Sequence, residues 1–247
     1  MRPGSSQSMT AEVLGRTVTF PVRIRTARLN AAVFRAASDV AAAQLPAGLA
    51  PVLIAPGTTV VAVLVVDYID NDLGDYDELG IAVPCLPSGS TQPSPGELLD
   101  GLRDGAIGTY VVHLPVTQEF TSAAGSQLWG LPKTVDDLAI RHRDRLVTCS
   151  WRRDDREIAR VALASRRGGQ DLGVEIVGYA RSPKGLIATR SRMALSGVSL
   201  HVGGRIRFGD HPVGRELARL FRSDRAIASV AADNFACEID PAVPLAT

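Results

Sequence analysis

The chain has 247 residues, of which 45% are hydrophobic, and this is enough apolar material for one sizeable core. Its 27 basic and 26 acidic residues give a formal net charge of +1, so no strong field attracts nucleic acid or an anionic membrane surface. Three cysteines at wide spacings form no C-x-x-C pair, which argues against a zinc or redox centre and fits a reducing cytoplasm. We therefore expect a cytoplasmic protein whose partner is a small molecule.

The first twelve residues, MRPGSSQSMTAE, lack the apolar run of roughly 7 to 15 residues that a secretory signal needs. Their Gly and Ser content predicts a flexible leader over residues 1–12, followed by a single domain over residues 13–247. The most apolar run, residues 59–66, is too short to cross a bilayer and is followed closely by aspartates. It predicts a buried strand.

Runs of β-branched and aromatic residues in rough period-two alternation predict strands along most of the chain. Residues 18–25 and 28–35 are expected to form a strand pair that opens the domain. Further strands are expected at residues 58–68, 110–117, 146–152, 157–165 and 172–180.

Helices are predicted at only two places. Ser38 is placed like an N-cap for a short helix that runs to Leu45 and stops at Pro46. Residues 214–222 carry apolar side chains at helical spacing on one face and predict an amphipathic helix. Between them, a proline- and serine-rich segment from residue 84 to 96 predicts a loop that could cover a site. Many strands with a few helices make α+β the expected class.

The segment WGLPKT at residues 129–134 places Lys133 directly after a proline, in a stretch that is apolar on its N-terminal side. Burial disfavours the ammonium form, so a desolvated lysine here would lose its proton nearer neutral pH and could form an imine with a ketone or aldehyde. The alternative is a solvated loop lysine, which composition alone favours because lysine is rarely buried without a partner.

The segment LGDYDELGIAVP at residues 73–84 places Tyr76 and Glu78 on one side of an extended chain. A carboxyl group held near an imine could shuttle protons to the carbon that becomes nucleophilic, provided its pKa is raised toward the working pH. The alternative for Glu78 is a charge that protects the edge of a sheet.

Several separated motifs together resemble the acetoacetate decarboxylase superfamily. They are L-G-x-Y-x-E-x-G-x-A-x-P at residues 73–84 and G-x-x-x-W-G-x-P-K at residues 125–133, in that order. Residues 33–46, with their strand, short helix and proline, and FGDH at residues 208–211 add to the likeness, which spans most of the chain after the leader. The resemblance implies a β-rich fold with a closed or strongly curved antiparallel sheet and a few helices. It also implies a homo-oligomer.

Matched residue by residue, the resemblance implies that Lys133 is the imine-forming lysine and Glu78 the active-site glutamate. Tyr76 and Trp129 would then line the pocket. The family also uses an arginine on its first core strands; Arg28 is the nearer candidate and Arg25 the other, and counting back from Pro46 matches neither cleanly.

Two departures from the family pattern argue against acetoacetate itself as the substrate. The decarboxylase has a second lysine directly after the nucleophile, where this chain has Thr134. Residues 125–127 are Gly-Ser-Gln, where the family often has Gly-Arg-Glu. Reactivity at Lys133 must then rest on burial and on Glu78.

The function that follows is a Schiff-base-forming lyase for a small keto acid or related carbonyl compound. Decarboxylation and aldol or dehydration chemistry both start from the same lysine imine, and Thr134 favours the latter. The alternative is a non-catalytic binding protein that retains the cavity. The four histidines do not fall at metal-ligand spacings, so we expect no metal, and no motif calls for a cofactor.

Overall fold

The computed structural model describes residues 9–94, 96–166 and 168–245. Within these ranges the helices are α1 (Ser38–Gln44), α2 (Glu97–Arg103), α3 (Glu119–Trp129) and α4 (Pro212–Leu220). The strands are β1 (Thr10–Val13), β2 (Arg16–Thr19), β3 (Val22–Ala37), β4 (Leu49–Pro51), β5 (Leu53–Ala55), β6 (Thr58–Asn71), β7 (Tyr76–Pro87), β8 (Gly108–Val116), β9 (Lys133–Val135), β10 (Asp137–Arg143), β11 (Leu146–Arg153), β12 (Arg156–Ala164), β13 (Gln170–Ser182), β14 (Gly185–His201), β15 (Gly204–Phe208), β16 (Phe221–Ala232), β17 (Asn234–Ile239) and β18 (Val243–Pro244). None of the described helices is long and apolar enough to cross a bilayer.

The strands form a strongly curved sheet whose middle closes on itself. Going round, β3, β17, β14, β13, β8, β7 and β6 are hydrogen-bonded in that order, and β6 returns to β3. Most pairings are antiparallel, whereas β8 pairs in parallel with both β13 and β9. The predicted α+β class, with a closed or strongly curved sheet and a few helices, is confirmed.

Two hydrophobic cores lie on the two faces of this ring, because successive side chains along a strand point to opposite faces. The inner face carries the ring core, which includes Ile24, Ala27, Leu29, Val66, Tyr68, Tyr76, Val116, Leu195, Phe235 and Cys237. The outer face packs against β11, β12 and α4 in the layer core, which includes Phe34, Val61, Val63, Val65, Leu79, Ile81, Trp151, Ile158, Val161 and Leu217. Both faces of β6 and β7 are therefore buried, which explains the near-continuous apolar run at residues 59–66.

The predicted strand pair at residues 18–25 and 28–35 is wrong, since residues 22–37 form the single long strand β3. Thr26 and Ala27 supply no turn signal at the expected break, and the chain passes through them extended. Val18 belongs instead to a separate hairpin, β1–β2.

The ordered fold begins inside the segment expected to be a leader. Strand β1 starts at Thr10, and Val13 is buried in the ring core, so the boundary lies earlier than residue 13. Residues 1–8 lie outside the described residues.

The segment at residues 84–96, predicted as a loop that could cover a site, starts within strand β7, which runs to Pro87. Residues 88–94 follow the end of β7, where the Leu53 amide donates to Gln92 Oε1 at 2.9 Å and the Ser88 amide donates to the Gly48 carbonyl at 2.8 Å. Glu78 lies nine residues back along β7, which is about 30 Å at the rise of an extended strand. The loop therefore packs on the β4–β5 side of the sheet.

Candidate active site

Lys133 is buried in the ring core. It opens β9, which pairs in parallel with β8 so that Lys133 lies opposite Leu114 and points to the inner face. Its Nζ lies 2.8 Å from Glu78 Oε2 and donates to Thr121 Oγ1 at 3.1 Å. The side chain is only 5% exposed, so the solvated-lysine alternative is wrong.

Glu78 is buried and lies on a strand that is paired on both sides, with Val66 of β6 opposite it on one side and Val116 of β8 on the other. The edge-charge alternative is therefore wrong for this residue. One carboxylate oxygen contacts Lys133, and the other accepts a hydrogen bond from the Tyr68 hydroxyl at 3.1 Å. Both oxygens are thus held in place inside the ring.

Two tyrosines form the wall beside the lysine. Tyr76 stacks on Tyr68 with ring centroids 4.3 Å apart, and Lys133 Nζ lies 4.8 Å from the centre of the Tyr76 ring. Phe235 packs edge-on against Tyr68 at 6.0 Å. Burial raises the pKa of both tyrosines, so their hydroxyls stay protonated across the neutral range.

Helix α3 supplies the third side of the site and was not predicted. The Gln118 side chain caps its start by accepting from the Thr121 amide at 3.1 Å, and Gly130 ends it in the left-handed region at φ 63°. Thr121 is fully buried on this helix and receives the hydrogen bond from Lys133.

Gly125 explains part of the motif that ends in Lys133. A Cβ added at Gly125 would lie 2.5 Å from Lys133 Cδ and 2.8 Å from Cε, so the lysine stem lies directly on the helix backbone. The chain turns back at Gly130 and returns as β9 across the face of the helix that it has just left. The spacing of the motif therefore places the Lys133 side chain against the preceding helix, α3.

The ionisation of Lys133 differs from the expectation drawn from burial alone. Burial disfavours the ammonium, yet the negative charge of Glu78 outweighs this effect, and the pKa of Lys133 is raised above its ordinary value. The expectation of a lowered pKa is wrong because the lysine is paired with a carboxylate 2.8 Å away. An unprotonated amine at this position therefore requires a proton transfer from the Lys133 ammonium.

Thr134 points away from Lys133. Its hydroxyl donates to Asp136 Oδ2 at 2.9 Å and accepts from Arg153 Nη2 at 3.1 Å, on the opposite face of β9 from Lys133. The Thr134 side chain therefore makes its hydrogen bonds with residues outside the ring.

Trp129 is buried at the C-terminal end of α3. Its indole N–H donates to the Asp240 carbonyl at 2.9 Å, and its ring packs edge-on against Phe20 at 5.9 Å. These contacts fasten the helix to the hairpin β1–β2 and to the segment after β17. They give Trp129 a supporting position behind the site.

The two arginine candidates are paired with aspartates and do not contact Lys133 or Glu78. Arg28 is level with Asp67 and Asp77 on the outer face, where its Nη1 lies 3.2 Å from Asp67 Oδ2. Arg25 forms exposed ion pairs with Asp70 at 2.7 Å and Asp72 at 2.6 Å. The residue of β3 that faces Tyr68 is Ala27.

The stability of the protein is expected to depend on pH through Asp77. Partial burial, and then the charge of Asp67, raise the pKa of Asp77 to about 6 from 3.8. The folded state binds this proton more tightly than the unfolded chain, so stability from this group is present below pH 4 and falls as the pH rises through 6. We expect Asp77→Asn to flatten this part of the pH profile, with a gain at pH 7 of up to about 1 kcal/mol, since solvent screens a half-exposed carboxyl.

Urea unfolding at pH 4 and pH 7 measures this effect. The exposed Asp75 is the matched control, and Asp75→Asn should leave the free energy of unfolding at pH 7 close to that of the parent. An Asp77→Asn profile that keeps the full decline between the two pH values would contradict the assignment.

Comparisons with known proteins agree with this architecture. The family described as Acetoacetate decarboxylase (ADC) matches residues 11–175, which is more than half of the chain. No curated protein sequence matches the chain.

Three solved structures show the same fold at low sequence identity. Acetoacetate decarboxylase from Legionella pneumophila has a TM-score of 0.63 and 15% identity, over 92% of this chain and 87% of that one. The enduracididine biosynthesis enzyme MppR complexed with pyruvate has a TM-score of 0.60 and 14% identity, over 91% and 89%. An acetoacetate decarboxylase-like enzyme from Sphingomonas wittichii RW1 has a TM-score of 0.57 and 15% identity, over 94% and 96%. The chain therefore belongs to the acetoacetate decarboxylase family.

Proposed function

We propose that this protein is a lyase that binds a small carbonyl compound as a Schiff base on Lys133. The observation that carries the proposal is the contact of 2.8 Å between Lys133 Nζ and Glu78 Oε2 inside an apolar core. Imine formation needs an amine and a group that can take up and return a proton, and here the two are in contact. Membership of the acetoacetate decarboxylase family supports a carbonyl substrate.

The reaction begins with a proton transfer from the Lys133 ammonium to Glu78, which leaves a free amine and a neutral carboxylic acid. The amine nitrogen attacks the carbonyl carbon, and a proton passes from nitrogen to oxygen to give a neutral carbinolamine. Glu78 then returns its proton to the carbinolamine hydroxyl. Water departs and leaves a cationic iminium beside an anionic Glu78.

The iminium can then withdraw electrons from the neighbouring carbon. If Glu78 removes a proton from that carbon, the product is an enamine, which can attack a second carbonyl compound or expel a hydroxyl group from the next carbon. If a carboxylate is attached to that carbon, carbon dioxide can depart instead. The position of Thr121, which accepts a hydrogen bond from Nζ at 3.1 Å, supports an amine held in a fixed orientation.

The chain offers an internal control for a trapping experiment, because its 27 basic residues include only two lysines, Lys133 and Lys184. Lys184 is exposed. The protein would be incubated with a panel of small aldehydes, ketones and keto acids in the presence of cyanoborohydride, which reduces an iminium to a stable amine. Peptide mass spectrometry then locates and quantifies the adduct.

We expect a rapid adduct on Lys133 with at least one member of the panel and a slow background adduct on Lys184. Lys133→Ala should remove the fast reaction and leave the background. Adducts found only at Lys184 and the N-terminal amine would overturn the proposal and favour a binding protein without chemistry.

A further inference from the structure

The buried charges of the site limit the class of substrate that can react there. This inference rests on the proposed function. Lys133 and Glu78 form a pair that is neutral overall, with side-chain exposures of 5% and 11%. A third charged group placed beside this pair would lose its hydration without gaining a partner of opposite charge. Such burial of an unpaired charge costs several kcal/mol even after the protein relaxes.

Among the residues that the structure describes, three arginines on the first three strands are candidate partners for a substrate carboxylate, and two of them are paired with aspartates. Arg28 is paired with Asp67 on the outer face, and Arg25 is held by Asp70 and Asp72 in exposed ion pairs. Arg16 lies on the hairpin outside α3, where its guanidinium stacks on the Phe120 ring at 3.7 Å and stays exposed.

Beyond the hydroxyls of Tyr68 and Thr121, which contact the ion pair, the neighbouring surfaces are apolar. On the inner face, the residues of β3 level with Tyr68 and Val66 are Ala27 and Leu29, both buried. Phe235 packs edge-on against the Tyr68 ring, with the two ring centroids 6.0 Å apart. Directly behind the site, on the outer face of the same two strands, Asp67 is paired with Arg28.

From this arrangement we propose that the compound that reacts with Lys133 is an uncharged aldehyde or ketone without a carboxylate. The iminium formed on Lys133 is balanced by the Glu78 carboxylate that its own formation regenerates, so a neutral substrate keeps the buried site neutral at every step. A keto acid would leave it with one net negative charge. The chemistry that follows the imine is then proton removal to an enamine, with aldol or dehydration steps, and carbon dioxide is not the leaving group.

A matched pair of ketones tests this class directly. The pair is 4-oxopentanoate and its methyl ester, in which the carboxyl group is remote from the ketone, so the two carbonyls have similar intrinsic reactivity. Cyanoborohydride trapping rates at Lys133 are measured for each at pH 7 and divided by the rates at Lys184 in the same sample. We expect the ester to exceed the acid by about tenfold or more at Lys133, where tenfold corresponds to about 1.4 kcal/mol.

Glu78→Gln tests the cause of the preference, because it removes the buried anion while keeping the size of the side chain. Absolute trapping rates should fall, since the proton shuttle is lost, but the ester-to-acid ratio should shift by about tenfold toward the acid, whose carboxylate can now pair with the Lys133 ammonium. Asp77→Asn is the control. It removes a carboxylate one residue away on the opposite face and should leave the ratio within about twofold.

The outcomes separate this inference from the proposed function. Trapping of the acid at Lys133 as fast as the ester would overturn the uncharged substrate while the Schiff base stands. Lys133-dependent release of carbon dioxide from 3-oxobutanoate would overturn it as well. Trapping of neither ketone, nor of any member of the wider panel, at Lys133 would overturn the proposed function and this inference with it.

Discussion

Lys133→Met is expected to destabilise the fold by about 3–5 kcal/mol at pH 7, in addition to removing the covalent adduct. The reason is that methionine fills the space of the lysine stem but leaves Glu78 buried without a cation. Tyr68 still donates to one carboxylate oxygen, whereas the oxygen that lies 2.8 Å from Nζ loses its partner. Urea unfolding, followed by far-UV circular dichroism, measures the loss.

The double variant Lys133→Met with Glu78→Leu shows whether the loss comes from the unpaired charge. Replacing both members of a buried ion pair with apolar residues is often neutral or stabilising, so the double variant should recover most of the stability that the single variant loses. Lys184→Met, at the exposed lysine, should stay within about 0.5 kcal/mol of the parent. If the single and double variants are equally unstable, the pair does not carry the effect.

Gly125→Ala is expected to slow trapping at Lys133 by about a hundredfold, because an error of about 1 Å in the position of a reacting group costs on that order. The added Cβ would lie 2.5 Å from Lys133 Cδ, so the lysine stem must move away from the helix and carry Nζ away from Glu78 and Thr121. Alanine favours a helix interior by about 1 kcal/mol over glycine, and this gain offsets part of the strain. The change in stability should therefore be small compared with the change in rate.

A control for Gly125→Ala lies on the same helix. Gln127 is exposed, and Gln127→Ala should leave both the rate of trapping and the free energy of unfolding close to those of the parent. An unchanged trapping rate in Gly125→Ala would mean that the lysine reacts from a position that this glycine does not control.

The parts of the site that lie within one strand could be predicted from the sequence. Period-two alternation alone places Tyr76 and Glu78 on one side of an extended segment, and β7 has this arrangement. The role of Lys133 required the resemblance, because a lysine after a proline is usually solvated. Tyr68 lay inside a predicted strand, but its contact with Glu78 depends on the register between β6 and β7, which no single segment encodes.

Helix α3 was missed for a physical reason. Its sequence, EFTSAAGSQLW, contains a β-branched residue, two serines and a glycine, all of which have modest or poor intrinsic helix propensity. Packing of Phe120, Ala124 and Trp129 against the ring core stabilises it instead. Thr121 was therefore not recognised as a neighbour of the lysine, although the Trp-Gly pair at residues 129–130 is a signal of a helix end.

The face of the sheet on which each arginine candidate lies could not be predicted, because matching a motif fixes position along the chain but leaves the face of the strand open. Arg28 and Ala27 are adjacent in sequence, yet they lie on opposite sides of the ring wall. When residues 22–37 are treated as one continuous strand, their alternation places Arg28 and Ala27 on opposite faces. The predicted break between two short strands removed this continuity, so the two faces could not be assigned.

The pleat of β7 makes the residue that faces Lys133 depend on strand register. Asp77 and Glu78 are neighbours in the chain, but one faces the half-exposed outer layer and the other faces Lys133. If one residue were deleted from the turn at residues 72–75 and β7 shifted by one place, Leu79 would take the inward position of Glu78, and the glutamate would point outward. The length of that turn, which makes no contact with Lys133 itself, would then decide whether a carboxylate reaches the lysine.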